Sequence, residues 1–109
     1  MIHLTANTKI LLATQPADFR QGIDGLAAVC KQRLACEPRS GTLFVFINRN
    51  KTMIRALVYE DNGFWLMTKR LSKGKFSGWP TDNKPVSAMA AKFLRQLFNG
   101  NYAPLKIND

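Results

Sequence analysis

The sequence predicts an α+β fold: one domain, an antiparallel three- to four-stranded meander with two packed helices, in the order β-α-β-β-β-α. Three observations predict it. Apolar, β-rich runs at 43–47, 53–59 and 64–71 are joined by short polar turns. Apolar residues recur at helical spacing between Phe19 and Leu34, and again between Ala90 and Phe98. A chain of 109 residues is long enough for one modest core.

The elements follow in order. K-I-L-L-A (9–13) reads as a short strand, and Q-P-A breaks it. Asp18 is placed to cap a helix, with Gln21 completing a capping box. That helix buries Phe19, Ile23, Leu26, Cys30 and Leu34, with Lys31, Gln32 and Arg33 largely on its other side. Gly22 and Gly25 each cost about 1 kcal/mol relative to alanine inside a helix. They therefore imply close backbone packing or a later helix start. Arg20 and Asp24, four apart, are placed for a helix-surface ion pair.

E-P-R-S-G-T (37–42) is a loop. L-F-V-F-I (43–47) is continuously apolar, as expected of a strand buried on both faces. N-R-N-K-T turns the chain into M-I-R-A-L-V-Y (53–59). E-D-N-G then makes a tight turn into F-W-L-M-T-K-R-L (64–71). S-K-G-K-F-S-G-W-P leaves the sheet, and T-D-N-K-P is a further loop. Ser87 is read as the cap of a last helix carrying Ala90, Phe93, Leu94, Leu97 and Phe98 on one face, stopped by Gly100. The domain is expected to span residues 1–100, with 101–109 a loosely held tail.

Sixteen cations against seven acids give a net charge of +9. Such a balance favours anionic partners over neutral small molecules. The excess is uneven: between Gly63 and Asn108 eight cations face a single acid, Asp82. No run approaches the roughly 18 apolar residues that span a bilayer, and the N-terminus has no signal-peptide pattern, so a cytoplasmic location is expected. Cys30 and Cys36 are then expected to be reduced, with Cys30 in the core.

Catalytic patterns are missing. The acids Asp18, Asp24, Glu37, Glu60, Asp61, Asp82 and Asp109 show no set of three at the ends of adjacent strands. A metal-dependent nuclease would have to be built on Asp24, Asp61 or Asp82. There is no phosphate-binding P-loop pattern. His3 is the only histidine, which leaves a triad or a zinc site without ligands. No catalytic residue, metal or cofactor is expected.

The cations form three groups: Arg49, Lys51 and Arg55; Lys69, Arg70, Lys73 and Lys75; and Lys92 with Arg95. Strand alternation places Arg55 and the cations of 64–71 on one face. The turn at 48–52 falls at the end of the sheet where 64–71 exits, so Arg49, Lys51, Lys73 and Lys75 converge there. These side chains are the candidate DNA contacts, because phosphate binding needs reachable cations. Phe76 and Trp79 read either as plugs anchoring a basic loop or, with Trp65, as aromatic anchors for a protein partner.

Four stretches occur in register: D-F-R-Q-G-I-D-G-L-A, S-G-T-L-F-V-F-I-N-R-N, I-R-A-L-V-Y-E-D-N-G-F-W-L and K-R-L-S-K-G-K-F-S-G-W-P. Together they resemble the TnpB-type accessory proteins encoded by the second reading frame of insertion sequences of the IS sixty-six group. The resemblance covers roughly residues 2–100. Its first block falls on Asp18, Arg20, Gly22, Asp24, Gly25 and Leu26, and its last on Lys69, Arg70, Leu71, Gly74, Phe76, Trp79 and Pro80. The spacing from Phe76 to Trp79 is one residue longer than the common form. The resemblance implies a non-catalytic helper of DNA transposition, working with a separately encoded transposase. Whether DNA at the element ends or the transposase is the main partner stays open at this level.

Overall fold

The computed structural model describes residues 7–81, 84–89 and 106–108. Its strands are β1 (Ile10–Ala13), β2 (Leu43–Ile47), β3 (Met53–Glu60), β4 (Gly63–Arg70), β5 (Lys75–Ser77), β6 (Val86–Met89) and β7 (Lys106–Asn108), and its helix is α1 (Ile23–Gln32). Five strands form one sheet in the order β4-β3-β2-β1-β6, and β5 pairs with β7 in a two-stranded ribbon.

The predicted meander is present as β2, β3 and β4, each antiparallel to the next. Two features correct the expected sheet. β1 runs parallel to β2, so the sheet is mixed, with α1 as the crossover between them. β6 adds a fifth strand, antiparallel to β1 on its other side. Ser87, read from sequence as a helix cap, lies inside β6. The helix expected after it, with Ala90, Phe93, Leu94, Leu97, Phe98, Lys92 and Arg95, lies outside the described residues, as does its stop at Gly100. Among the described residues α1 is the one helix. Residues 106–108, placed by sequence in a loose tail, pair with β5.

β1 and β2 are buried at every position, which is why both are apolar on both faces. One face of the sheet carries Leu11, Phe44, Phe46 and Leu57, and α1 packs Leu26 and Cys30 against it. Leu26 and Leu57 are fully buried, and each such side chain contributes about 2 kcal/mol. The other face carries Ile10, Leu12, Val45, Ile54 and Ala56, covered by Phe76 and Trp79 from the segment that follows β4.

α1 starts later than the capping signature suggests. Gly22 is its N-cap, with no side-chain cap, and the first helical bond runs from the Leu26 N–H to the Gly22 carbonyl at 3.0 Å. The loop ahead of it folds back over the first turn. A Cβ on Gly25 would sit 2.5 Å from the Gln21 Cβ, so this close approach requires glycine.

Candidate nucleic-acid interface

The end of the sheet where β2 turns into β3 is built around Asn48. Its Oδ1 accepts the N–H groups of Thr52 (2.9 Å) and Met53 (3.1 Å), and its Nδ2 donates to Thr52 Oγ1 at 3.1 Å. The backbone closes the same turn, Asn48 N–H to the Met53 carbonyl at 3.1 Å. An asparagine bonding the backbone four and five residues on fixes a turn that would otherwise be free. Arg49, Asn50 and Lys51 ride on it, exposed, with Lys51 at φ 61°.

The basic segment after β4 is tied to this turn. Leu71 N–H donates to the Thr52 carbonyl at 2.9 Å, and Phe76 N–H donates to the Lys51 carbonyl at 2.8 Å. The backbone that carries Lys73 and Lys75 is thereby brought to the end of the sheet that carries Arg49 and Lys51. The aromatics hold the segment from below. Phe76 is 1% exposed, and Trp79 is 6% exposed with its indole N–H on the Ala13 carbonyl at 2.8 Å. Their burial leaves neither ring a surface for a partner, and favours the plug over the docking anchor. Trp65 is different: it is 44% exposed on β4, with its Nε1 donating to Glu60 Oε1 at 3.2 Å.

Register divides the cations of β3 and β4. Arg55 lies opposite Thr68, and its Nε bonds Thr68 Oγ1 at 3.0 Å, so both stand on the α1 face. Arg70, two residues beyond Thr68, shares that face. Lys69 lies opposite Ile54 and belongs to the other face. The single-face grouping expected from sequence thus holds for Arg55 and Arg70 but excludes Lys69.

Arg55 is occupied by the protein itself. Its Nη1 donates to the carbonyls of Phe19 (2.7 Å) and Gln21 (3.2 Å), and its guanidinium lies 4.9 Å from the centre of the Phe19 ring. It fastens the loop ahead of α1 onto the sheet. Between that loop and the Asn48 turn lies an open cleft of about 470 Å³, lined by Asp18, Arg20, Asn48, Arg49, Met53 and Arg55 among others.

Arg20 lines this cleft but belongs to none of the basic groups read from the sequence. It does not pair with Asp24 along a helix. Its guanidinium forks onto the Asp18 carboxylate, Nη2 to Oδ2 at 2.7 Å and Nε to Oδ1 at 3.0 Å, and its backbone N–H bonds Oδ1 at 2.9 Å. These bonds, with the charges of Arg20 and Arg49, pull the Asp18 carboxyl down to about 2. The only sequence signal for this arrangement is the pair Gly22 and Gly25, which argues against a helix starting at Asp18.

Cys30 is buried, and burial pushes its thiol up to about 12. Among the described residues, no three His, Cys, Asp or Glu side chains could hold a metal ion, and no helix is long and apolar enough to cross a membrane.

The fold and the site define a small α+β protein with a basic, cleft-bearing sheet end. The chain belongs to the family described as IS66 Orf2 like protein, which it matches over residues 8–104. It is similar to the uncharacterized protein y4jC of Sinorhizobium fredii, 38% identical over 76 residues, which is 70% of this chain and 65% of that relative. It is also similar to the uncharacterized protein y4hO of the same organism, 32% identical over 94 residues, 86% of this chain and 81% of that one. The match with the first relative therefore spans just under two thirds of its length. No solved structure matches the chain.

Proposed function

We propose that this protein binds the DNA backbone through the basic end of its sheet, acting as a non-catalytic accessory factor beside the transposase of its element. The observation that carries the reading is the pair of backbone bonds that fix the 71–76 segment to the 48–52 turn. They bring the chain segments that carry Arg49, Lys51, Lys73 and Lys75 together, which supports reading the four as one group. Arg70 adds a cation at the end of β4, and Arg55 adds a fixed positive charge on the α1 face. Positioned cations on ordered backbone are what phosphate contacts require.

The test is fluorescence anisotropy with a labelled duplex carrying the element's terminal repeat, against a scrambled duplex, across a salt series. Replacing Lys73 and Lys75 by glutamate should weaken binding. It should also lower the slope of log K against log salt by about 0.9 for each phosphate that is no longer neutralised. An unchanged slope would take this segment out of the interface.

A second reading rests on Trp65, the exposed large apolar side chain of the described residues. In that reading β4 docks on the transposase and DNA is incidental. Retention of the transposase after nuclease treatment, abolished by Trp65→Ala and kept on Lys73→Glu, would favour it.

A further inference from the structure

We propose that the cleft beside Arg20 is a slot for a single backbone phosphate, and that Asp18 occupies it in the free protein as an internal stand-in for that phosphate. The inference rests on the DNA-binding reading and names the atoms that would read the ligand. Three observations carry it.

The first is geometric. Asp18 receives two guanidinium N–H donors of Arg20 and one backbone N–H, all within 3.0 Å. A forked guanidinium with an adjacent amide is an arrangement that suits a phosphate oxygen pair as well as a carboxylate. The second is position. The fork opens into the cleft between the pre-helix loop and the Asn48 turn, where Arg49 and Arg55 also stand. Arg55 cannot swing out, because its Nη1 is held by the Phe19 and Gln21 carbonyls. It contributes a fixed positive charge to the wall. The third is exposure. The Arg20 side chain is 92% exposed and that of Asp18 50%, so the pair is reachable from solvent without any opening of the core.

An exposed ion pair is worth little in water. A phosphate with access to Arg20 and Arg49 together can therefore displace Asp18. The carboxylate then acts as a competitor that weakens loose anion binding and yields to a phosphate correctly placed by the neighbouring lysines. Asp18→Asn keeps the Oδ1 acceptor for the Arg20 backbone N–H, so the loop should keep its shape while the competing charge is removed.

The control is Asp61→Asn. Asp61 follows the far end of the eight-residue β3, about 20 Å from Arg55 in the cleft wall at the usual rise per residue. That distance is more than about two Debye lengths at physiological salt. The variant makes the same change in net charge without touching the slot, and asparagine tolerates its φ of 58°.

Two probes are used on the full chain: the labelled duplex, read by anisotropy, and inorganic phosphate, read by the Nε–H resonances of Arg20, Arg49 and Arg55. Asp18→Asn should tighten both ligands by roughly two- to fivefold, with phosphate shifting the Arg20 and Arg49 signals saturably. Asp61→Asn should leave both near the unmodified protein. In an Arg20→Gln background the gain from Asp18→Asn should vanish. Equal effects of Asp18→Asn and Asp61→Asn, or a gain that survives Arg20→Gln, would overturn the slot. A phosphate response without any duplex binding would sink the DNA reading and leave the slot standing.

Discussion

Arg55→Met separates a supporting role from a binding role at one position. The methionine keeps an unbranched stem on β3 and removes the guanidinium. The structure gives the guanidinium two part-buried bonds to backbone carbonyls, one exposed bond to Thr68 Oγ1 and the contact with the Phe19 ring. Counting about 1 kcal/mol for each part-buried bond, next to nothing for the exposed one, and about 0.5–1 kcal/mol for the ring contact, the loss is about 2.5–3 kcal/mol. For a domain of this size, with an m-value of about 1.5 kcal/mol/M in urea, the midpoint should fall by about 1.5–2 M. The assay is urea unfolding followed by tryptophan fluorescence, dominated by the burial change of Trp79. Arg55→Lys should sit close to Arg55→Met, since an ammonium cannot span both carbonyls and Thr68 together. A midpoint shift below about 0.3 M, equivalent to under 0.5 kcal/mol, would refute the supporting role. It would show that Phe19 and Gln21 hold their places without Arg55.

Two further outcomes follow from the geometry. Ala35 sits at φ 53° where the chain leaves α1, a conformation that costs a non-glycine residue about 1–2 kcal/mol, so Ala35→Gly should stabilise the fold by about 0.5–1 kcal/mol after the entropy of glycine is subtracted. A lowered thermal midpoint would contradict it. Asp18 has its carboxyl depressed from 3.8 to about 2. A depressed carboxyl contributes stability that is fully present above the unfolded value and is lost as pH falls through the folded one. Thermal midpoints of the native chain and Asp18→Asn should therefore differ at pH 5 and converge between about pH 4 and 2, low salt widening the gap. A constant gap across that range would remove Asp18 as its source.

The elements that were legible in the sequence are those whose partners are close along it. β2, β3 and β4 are joined by short turns, so their apolar runs and turn residues state the pairing almost by themselves. β1 was legible as a strand but not in direction, because its parallel partner is chosen by the α1 crossover and not by K-I-L-L-A. β6 reads as a helix start because V-S-A-M is short and Ser87 resembles a cap. Its strand character comes from Ile10–Ala13, more than seventy residues away in sequence. β5 is three residues between two glycines at positive φ, too short to carry a period of its own.

The candidate site divides in the same way. The convergence of the 48–52 turn with the 71–75 segment follows from strand order alone. The occupation of Arg55 does not, because its acceptors are backbone carbonyls, which no side-chain pattern reports. Arg20 was hidden by a capping box that the sequence spells and the structure does not form. Asp18 satisfies the N–H two residues on instead, a local bond that competes with helix initiation.

The plugged segment after β4 has one more consequence. Leu71 and Phe76 are bonded to the turn, Lys75 is paired with β7 and Trp79 is locked on Ala13, so the backbone of this segment is held at both ends. Lysines on a slack tail must be immobilised when they meet a ligand, at about 0.5–1.5 kcal/mol for each ordered side chain and more for the backbone beneath it. Here the backbone share is settled at folding. The basic end of the sheet is thus a ruler as well as a charge. It carries its cations on a fixed backbone, and a flexible polyanion of equal charge density should fit it less well than a duplex whose phosphates hold a regular spacing.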